Sequence, residues 1–367
     1  MDKMKGIIAI ICRTLLGLVF VFSGVVKAID PLGTVYKIED YLKAFGGFFV
    51  DLLPLASVAA VGLIVLELLL GVCMVMNVRT RWTAWLALVF YAVMTPLTLY
   101  IAIANPVSDC GCFGDAIVLT NWQTFEKNVV LIVLATILVV LRKHTHSLWR
   151  NWMEMVIAGV TIVAALAFMG YTHKHLPVMD FRPYKVGNHI PTLMEYPEGA
   201  AVDEYEILFV YEKDGVEQTF TLDNYPKGDS TWTFVRQESK LIKKGYEPPI
   251  HDLEILNADY EDITWDILES EAPVTLVVMY DLSKADMKQI PKVERLVDNC
   301  MLNMEPCYIL TGSGTDEIIG FSMEYPNLAE CICTCDPVTL KTIVRANPGV
   351  IVVQNGVITE KYNINNK

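Results

Sequence analysis

GIIAIICRTLLGLVFVFSGVVKA, at residues 6–28, is the stretch of sequence that decides the fold. It is long and apolar enough to cross a bilayer as one helix, which takes about 20 apolar residues. The composition agrees, because only 19% of the chain is charged, against about 25% in soluble proteins. Four further segments have this character, so we predict five membrane spans in all; the other four are residues 55–76, 82–104, 121–142 and 152–171.

The fourth span is the least obvious of the five, because its apolar run covers only residues 129–141. Thr120-Asn-Trp-Gln123 has the residue types of an N-terminal capping box, which places the start of the helix at Asn121. A helix that begins there is about 33 Å long at a rise of 1.5 Å per residue, enough to span a bilayer.

The short loops predict the orientation of the chain in the membrane. Loops rich in Lys and Arg face the cytoplasm, which predicts a cytoplasmic N-terminus in a bacterial inner membrane. Residues 29–53, 105–120 and 172–367 then lie on the extracytoplasmic side. The basic residues that give this orientation are Lys3, Lys5, Arg79, Arg81, Arg142, Lys143 and Arg150.

The charge of the C-terminal half limits its partners. Residues 172–367 have 17 Lys and Arg against 32 Asp and Glu, a net charge of −15. Nucleic acid is therefore excluded as a partner, because it is bound through positive charge. We expect extracytoplasmic client or partner proteins. Membrane lipids are expected too, because residues 36–45 have the pattern of a short amphipathic helix lying on the membrane surface.

Two ionisable residues, Arg13 and Glu67, lie inside predicted spans. A buried charge in a bilayer costs several kcal/mol unless it is paired or hydrated. Counted from the helix ends, the two residues differ in depth by about 3 Å, which predicts an ion pair between them. This pair is either a structural clamp between helices or a proton-handling pair beside a quinone.

The cysteines indicate the chemistry. Asp109-Cys-Gly-Cys-Phe-Gly-Asp115 lies in the loop before the fourth span. Two cysteines separated by one Gly can form only a small, strained disulfide ring, and strain makes a disulfide more oxidising. Cys110 and Cys112 are thus a candidate redox pair, which exchanges with a soluble partner and passes electrons to a quinone. A structural disulfide and a soft-metal half-site are the alternatives; no metal is predicted, because zinc needs four ligands.

Five further cysteines are predicted on the same side of the membrane: Cys300, Cys307, Cys331, Cys333 and Cys335. If residues 331–335 form a strand, the three thiols of Cys331, Cys333 and Cys335 share one face. They are candidates for a structural disulfide with Cys300 or Cys307, a soft-metal site, or a relay to Cys110 and Cys112. Seven cysteines on this side are an odd number, so at least one stays free or pairs with another chain.

The C-terminal half has the pattern of an α/β domain preceded by a hairpin. Residues 206–211 and 217–222 flank a Lys-Asp-Gly turn and predict a β-hairpin, and residues 226–249 are interpreted as a polar connector. From residue 251 onwards strands and helices alternate, with strands at 252–256, 274–280, 307–311, 350–353 and 357–362 and helices at 263–268, 285–300 and 339–346.

A family resemblance covers the first 145 residues or so, which resemble the DoxX/MauE superfamily of four-helix membrane proteins. Cys110-Gly-Cys-Phe-Gly114 carries most of it and points to the MauE branch. The resemblance implies functional roles for Arg13, Lys27, Glu67, Cys110 and Cys112. It also implies quinone-linked or disulfide-maturing activity. Other matching segments are Arg13-Thr-Leu-Leu-Gly17, Phe20 to Gly24 with Lys27, Asp30-Pro31 and Glu67-Leu-Leu-Leu-Gly71.

Residues 251–364 resemble the thioredoxin-like fold. Asn347-Pro348-Gly349 fits the place of that fold's cis-proline, so Pro348 is a candidate for shaping a client groove. The Cys-x-x-Cys expected after the first central strand is absent, since that place holds Asp281-Leu-Ser-Lys-Ala-Asp286. The domains predicted are a four-helix membrane domain at 1–145, a fifth membrane helix at 146–172, a linker with the β-hairpin at 173–250, and a thioredoxin-like domain lacking Cys-x-x-Cys at 251–367.

Two functions remain open from the sequence. The first is an integral membrane thiol–disulfide redox protein in which Cys110 and Cys112 act on extracytoplasmic clients and a quinone takes the electrons. The second is a non-enzymatic membrane anchor or assembly factor whose C-terminal domain binds a partner protein. In both cases the proline-bearing linker at 172–200 predicts that this domain docks on the loop at 105–120.

Overall fold

The computed structural model describes residues 2–107, 109–145, 147, 149–243 and 245–366. Five of its helices are long and apolar enough to cross a membrane, which confirms the five predicted spans. The Thr120–Gln123 capping box is present with both of its hydrogen bonds. The helices of this membrane half are α1 (Asp2–Ile29), α2 (Pro31–Phe45), α3 (Ala56–Val75), α4 (Thr80–Ala104), α5 (Asn121–Leu141) and α6 (Asn151–His175), with a 3-10 segment, Gly47–Leu55, before α3.

Glycines set the close packing of α1 on α3. A Cβ on Gly71 would come within 2.5 Å of the Val21 nitrogen, and one on Gly24 within 2.7 Å of Leu68 Cγ. A Cβ on Gly17 would meet Val75 and Met74. These contacts fix the axial register of the two antiparallel helices, because a larger side chain at any of the three positions would push them apart.

A three-stranded antiparallel sheet follows α6 and the short helix α7 (Ile190–Met194). Its order is β2-β1-β3, with β1 at Glu204–Lys213, β2 at Val216–Thr221 and β3 at Thr233–Lys243. The predicted hairpin is confirmed as β1 and β2. The predicted connector at 226–249 is wrong, because β3 lies within it and pairs along β1. The side chains of β3 are mostly exposed. This strand therefore lacks the apolar alternation of a half-buried strand and is held by backbone pairing.

The C-terminal domain, which we call the sheet domain, is built on a five-stranded sheet of order β6-β5-β4-β7-β8. The first three strands are parallel, and β7 and β8 form an antiparallel hairpin. Strand and helix alternation is confirmed, except that residues 252–256 form no strand and Leu256 makes only isolated bridges. The strands are β4 (Val274–Val278), β5 (Cys307–Thr311), β6 (Ile332–Thr334), β7 (Gly349–Gln354) and β8 (Val357–Asn363); the helices are α8 (Thr264–Leu268), α9 (Ile290–Leu302), α10 (Thr315–Glu324), α11 (Pro326–Ala329) and α12 (Pro337–Ile343).

The sheet domain docks on the end of the membrane bundle, as the linker predicted. Arg345, just after α12, lies 2.8 Å from Asp30 and 3.3 Å from Asp115. The Tyr36 hydroxyl on α2 is 3.2 Å from the Tyr280 hydroxyl after β4. Because Asp115 belongs to the loop at residues 105–120, the sheet domain contacts the loop that carries the Cys-Gly-Cys motif.

Candidate functional site

The candidate site begins with the loop between α4 and α5, residues 105–120, which we call the cysteine loop. The Sγ atoms of Cys110 and Cys112 are 3.0 Å apart, and both residues are partly buried free thiols. Gly111 between them has a φ of +62°, a conformation that side chains of L-residues rarely adopt. Its backbone N–H donates to Asp109 Oδ1 over 2.8 Å. The intervening glycine therefore allows the turn that brings the two thiols together.

Neighbouring helices fix the backbone of the cysteine loop. The Tyr41 hydroxyl on α2 donates to the Cys110 carbonyl over 2.8 Å. Ser23 Oγ on α1 lies 2.8 Å from the Cys112 carbonyl oxygen. Lys37 on α2 forms a 2.6 Å ion pair with Asp109. Each cysteine is thus held through its own backbone, while its thiol is left available for chemistry.

Beside the loop is a buried ion pair, but it joins Glu67 to Lys27 rather than to Arg13. Lys27 Nζ is 2.8 Å from both carboxylate oxygens of Glu67, and both side chains are about 95% buried. Ser23 Oγ accepts from Lys27 over 2.7 Å and lies 2.9 Å from Glu67 Oε2. This network connects the ion pair to the Cys112 backbone.

The predicted Arg13–Glu67 pair is wrong because the depths were counted from the ends of the helices. The contacts of Gly17 with Met74 and Val75 show that α1 extends past the end of α3, so Arg13 lies beyond that end. Fourteen residues of helix, about 21 Å, separate it from Lys27. Among the described residues, Arg13 Nε is buried with no hydrogen-bond partner.

The two thiols of the cysteine loop have opposite acidities. A hydrogen bond from the Cys110 thiol lowers the pKa of Cys112 to about 6, and Lys127 and Lys27 act in the same direction while burial opposes them. The same hydrogen bond and burial raise the pKa of Cys110. At neutral pH the pair therefore shares one proton, with the thiolate on Cys112, which is the form that attacks a disulfide or an electrophile.

Both thiols line a cavity of about 370 Å³ inside the bundle. Most of its wall is apolar and aromatic, and polar side chains lie near the cysteine loop. The apolar wall includes Val19, Phe20, Ile38, Leu63, Phe90, Tyr91, Met94, Leu97 and Ile101, and the polar wall Ser23, Lys27, Glu67, Lys127 and Asn128. An apolar chamber with a few converging polar groups is the usual character of a small-molecule site.

A second cavity, of about 430 Å³, lies on the other side of the cysteine loop, between the bundle and the sheet domain. Gly111, Thr34 and Lys37 line both cavities, whereas the two cysteines line only the first. The α2 face and the turn of the cysteine loop are therefore a thin partition between a chamber in the membrane half and a cleft under the sheet domain.

The sheet-domain cysteines lie in the interior of that domain, and the predicted single face is wrong. Cys333 and Cys335 belong to the core on one side of the sheet, while Cys331 packs on the other side. Only Ile332–Thr334 forms strand β6, so the strict alternation of a longer strand does not hold through Cys331 and Cys335. Cys307 and Cys331 share the second core, and burial together with the nearby Cys300 raises the pKa of the Cys307 thiol.

Pro348 lies between α12 and β7, and the Asn347–Pro348 peptide bond is cis. The Asn347 side chain donates to the Asp281 carbonyl over 2.7 Å. It thereby ties this segment to the end of β4, where the chain has Asp281 and no cysteine. Whether Pro348 shapes a client groove stays a prediction.

Sequence reasoning missed several residues around the dithiol. Lys27 was singled out only through the family resemblance, although Ser23 and Lys27 are four residues apart on one helix and so share a face. Ser23, Lys37, Tyr41 and Lys127 were missed because they come from α1, α2 and α5, and only the packed bundle brings them to the cysteine loop.

Five apolar helices with a thiol pair at one end define a helical membrane protein with a candidate dithiol site. Residues 5–141, which contain that site, match the family described as methylamine utilisation protein MauE. Residues 205–244 match a domain of unknown function, DUF8463, and this range contains the three-stranded sheet except for the first residue of β1. No curated protein matches the chain. The MauE match confirms that part of the predicted resemblance, while the wider DoxX relationship and the thioredoxin-like fold stay predictions.

Proposed function

We propose that this protein is an integral membrane thiol–disulfide oxidoreductase, linked to a quinone, that acts on extracytoplasmic client proteins through Cys110 and Cys112. One observation carries the proposal: two thiols 3.0 Å apart line an apolar cavity within the membrane half. A soluble dithiol enzyme needs no such chamber, whereas a lipid-dissolved electron acceptor does. The orientation assumed is the one predicted from the basic loops, in a bacterial inner membrane.

The residues that line the cavity support a quinone as the electron acceptor. Its apolar wall suits the ring and the first part of an isoprenoid tail. Lys127 and Asn128 lie in the wall of the cavity and can donate to a carbonyl oxygen. When bound, a quinone supplies an acceptor for two electrons and two protons.

The proposed reaction has two balanced steps. A client dithiol reduces the Cys110–Cys112 disulfide by exchange, so that the client gains a disulfide and the loop gains two thiols. The loop thiols would then return to the disulfide and release two electrons and two protons, which a bound quinone would accept to become hydroquinone. Lys27 and Glu67 are ionisable groups in the cavity wall beside Cys112 and are the proposed proton-handling pair, in place of the predicted Arg13 and Glu67.

The sheet domain is the proposed client-binding part of the molecule. Its strand order, with a parallel β4-β5-β6 group and an antiparallel β7-β8 hairpin, supports the thioredoxin-like assignment. Pro348 lies at the start of that hairpin and is the proposed edge of the client groove. Since Asp281 follows β4 where a thioredoxin has its dithiol, the sheet domain is proposed to hold clients while the cysteine loop performs the exchange.

Membranes that contain the protein test the proposal with dithiothreitol as the reductant and a short-chain ubiquinone as the acceptor. We expect quinone reduction that Cys110→Ser and Cys112→Ser each abolish. Cys333→Ser is the matched control, because Cys333 is a buried thiol outside the loop, and it should retain full activity. If both loop variants kept their activity, the proposal would be contradicted.

One observation favours the second function, a membrane anchor or assembly factor. Arg345 holds the sheet domain against the cysteine loop through Asp30 and Asp115, so the loop can serve as part of a docking surface. In that case both loop cysteines would be replaceable by Ser without loss of function in cells, whereas Arg345→Ala would impair it.

A further inference from the structure

A second thiol pair lies in the sheet domain, far along the chain from the cysteine loop. Cys300 is in the last turns of α9, and Cys307 is the first residue of β5. The intervening segment turns back on itself, since the Glu305 N–H donates to the Cys300 carbonyl over 2.9 Å. The Cys300 thiol is close enough to help burial raise the pKa of the Cys307 thiol. The two residues thus flank a tight turn between a helix and a strand, with their thiols near each other.

The surroundings of this pair allow oxidation. Cys300 is buried, but Cys307 is only half-buried, and Met304 at the tip of the turn is 92% exposed. A soluble oxidant therefore has access from the turn side. Cys331 is the thiol that shares a core with Cys307, while Cys333 and Cys335 belong to the core across the sheet.

We propose that Cys300 and Cys307 form an intrachain disulfide that braces α9 against β5. The reaction oxidises the two thiols, which lose two protons and two electrons, and reduces one molecule of a soluble disulfide to two thiols. Formation in the cell rests on the proposed extracytoplasmic placement, because disulfides persist in oxidising compartments. The geometric part of the proposal, which thiols pair, is independent of that placement.

This assignment separates the seven cysteines predicted on the extracytoplasmic side into different roles. Cys110 and Cys112 are the exchanging pair, and Cys300 and Cys307 are a structural pair. Cys331, Cys333 and Cys335 remain as thiols packed in the two cores. A relay through all three of those thiols is disfavoured, since the sheet lies between Cys331 and the other two.

The test uses the purified full-length chain carrying Cys110→Ser and Cys112→Ser, so that the loop pair does not contribute. The protein is incubated with oxidised glutathione, its free thiols are alkylated, and the peptides are mapped by mass spectrometry without reduction. We expect a disulfide between Cys300 and Cys307, which makes the segment that carries both residues two hydrogen atoms lighter than its reduced form. A Cys307–Cys331 linkage, a stable glutathione adduct on Cys307, or alkylation of both residues would overturn the proposal.

A stability measurement gives a second readout on the same background. Reductant should lower the midpoint of thermal unfolding by several degrees while Cys300 and Cys307 are present, because the brace constrains the unfolded chain. The midpoint should not respond to reductant after the further changes Cys300→Ser and Cys307→Ser. Cys331→Ser is the matched control and should leave the response intact. Disulfide mapping of protein taken directly from membranes then tests the proposed extracytoplasmic placement of the sheet domain. If Cys300 and Cys307 are free in that protein but pair after treatment with oxidised glutathione, the result counts against the placement and not against the pairing.

Discussion

The cysteine loop and the sheet domain place the same residue type in opposite surroundings. In the loop, a hydrogen bond between the two thiols and nearby lysines lower the pKa of Cys112 to about 6. In the sheet domain, burial raises the pKa of Cys333 to about 11 and of Cys335 to about 12. The difference teaches that the reactivity of a thiol here depends on its neighbours rather than on its presence alone, and it supports Cys110 and Cys112 as the proposed exchanging pair.

The largest expected effect comes from removing one loop thiol. Cys112→Ser should abolish turnover while the fold is retained, because a partly buried loop residue leaves little cavity when an oxygen replaces its sulfur. The remaining Cys110 thiol should attack the disulfide of oxidised clients, release one client thiol and stay bound as a mixed disulfide, since no neighbouring thiol can resolve it. Mass spectrometry of adducts from membranes checks this, with Cys335→Ser as the sheet-domain control that should trap nothing.

The next effect concerns pH and the alkylation rate of the reduced protein. Because the pKa of Cys112 is lowered, its thiolate fraction should rise as the pH increases through about 6 and level off near 7.5. At pH 7 it should react with iodoacetamide about a hundredfold faster than Cys333, since thiolate fraction outweighs the lower nucleophilicity of an acidic thiol. If Cys112 and Cys333 were alkylated at equal rates, the proposed difference in thiol reactivity between the cysteine loop and the sheet domain would be contradicted.

A smaller effect is expected from the ion pair that supports the loop. Glu67→Gln leaves the Lys27 charge buried without its partner and should lower the free energy of unfolding in detergent by about 3–5 kcal/mol. Glu154→Gln is the matched control at the other end of the bundle, since Glu154 is equally buried but its partner Arg79 is half exposed. Adding Arg13→Gln should not change the loss in free energy of unfolding that Glu67→Gln causes. A strong energetic coupling between the two substitutions would instead support the Arg13–Glu67 pair predicted from sequence.

The smallest effect should come from the contact between the two regions. Asp30→Asn removes the charge of the less exposed of the two carboxylates that pair with Arg345, which is also the one at the shorter distance. It should weaken docking of the sheet domain by about 1.5–3 kcal/mol. Asp115→Asn should weaken it less, because its side chain is 42% exposed and 3.3 Å from Arg345. Hydrogen–deuterium exchange in α2 and α12 measures both; equal protection in the two variants and the wild type would show that Arg345 does not control docking.

The local features of this protein were determined by the sequence itself. Membrane spans need only a sufficient length of apolar residues, and the start of α5 needs only the capping box at Thr120 and Gln123. The β1–β2 hairpin follows from its turn residues. The Cys-Gly-Cys spacing was likewise enough to single out the candidate dithiol, because a glycine there permits the turn that joins two neighbouring thiols.

The tertiary structure alone decided which distant residues meet. Glu67 pairs with Lys27 and not with Arg13 because the glycine contacts of α1 and α3 set the axial register, which composition does not encode. Strand β3 forms because β1 offers it a backbone edge, although its own side chains are largely polar. Cys331 and Cys333 lie on opposite sides of a sheet because β6 is only three residues long, and pairing and packing depend on neighbours that are distant in the chain.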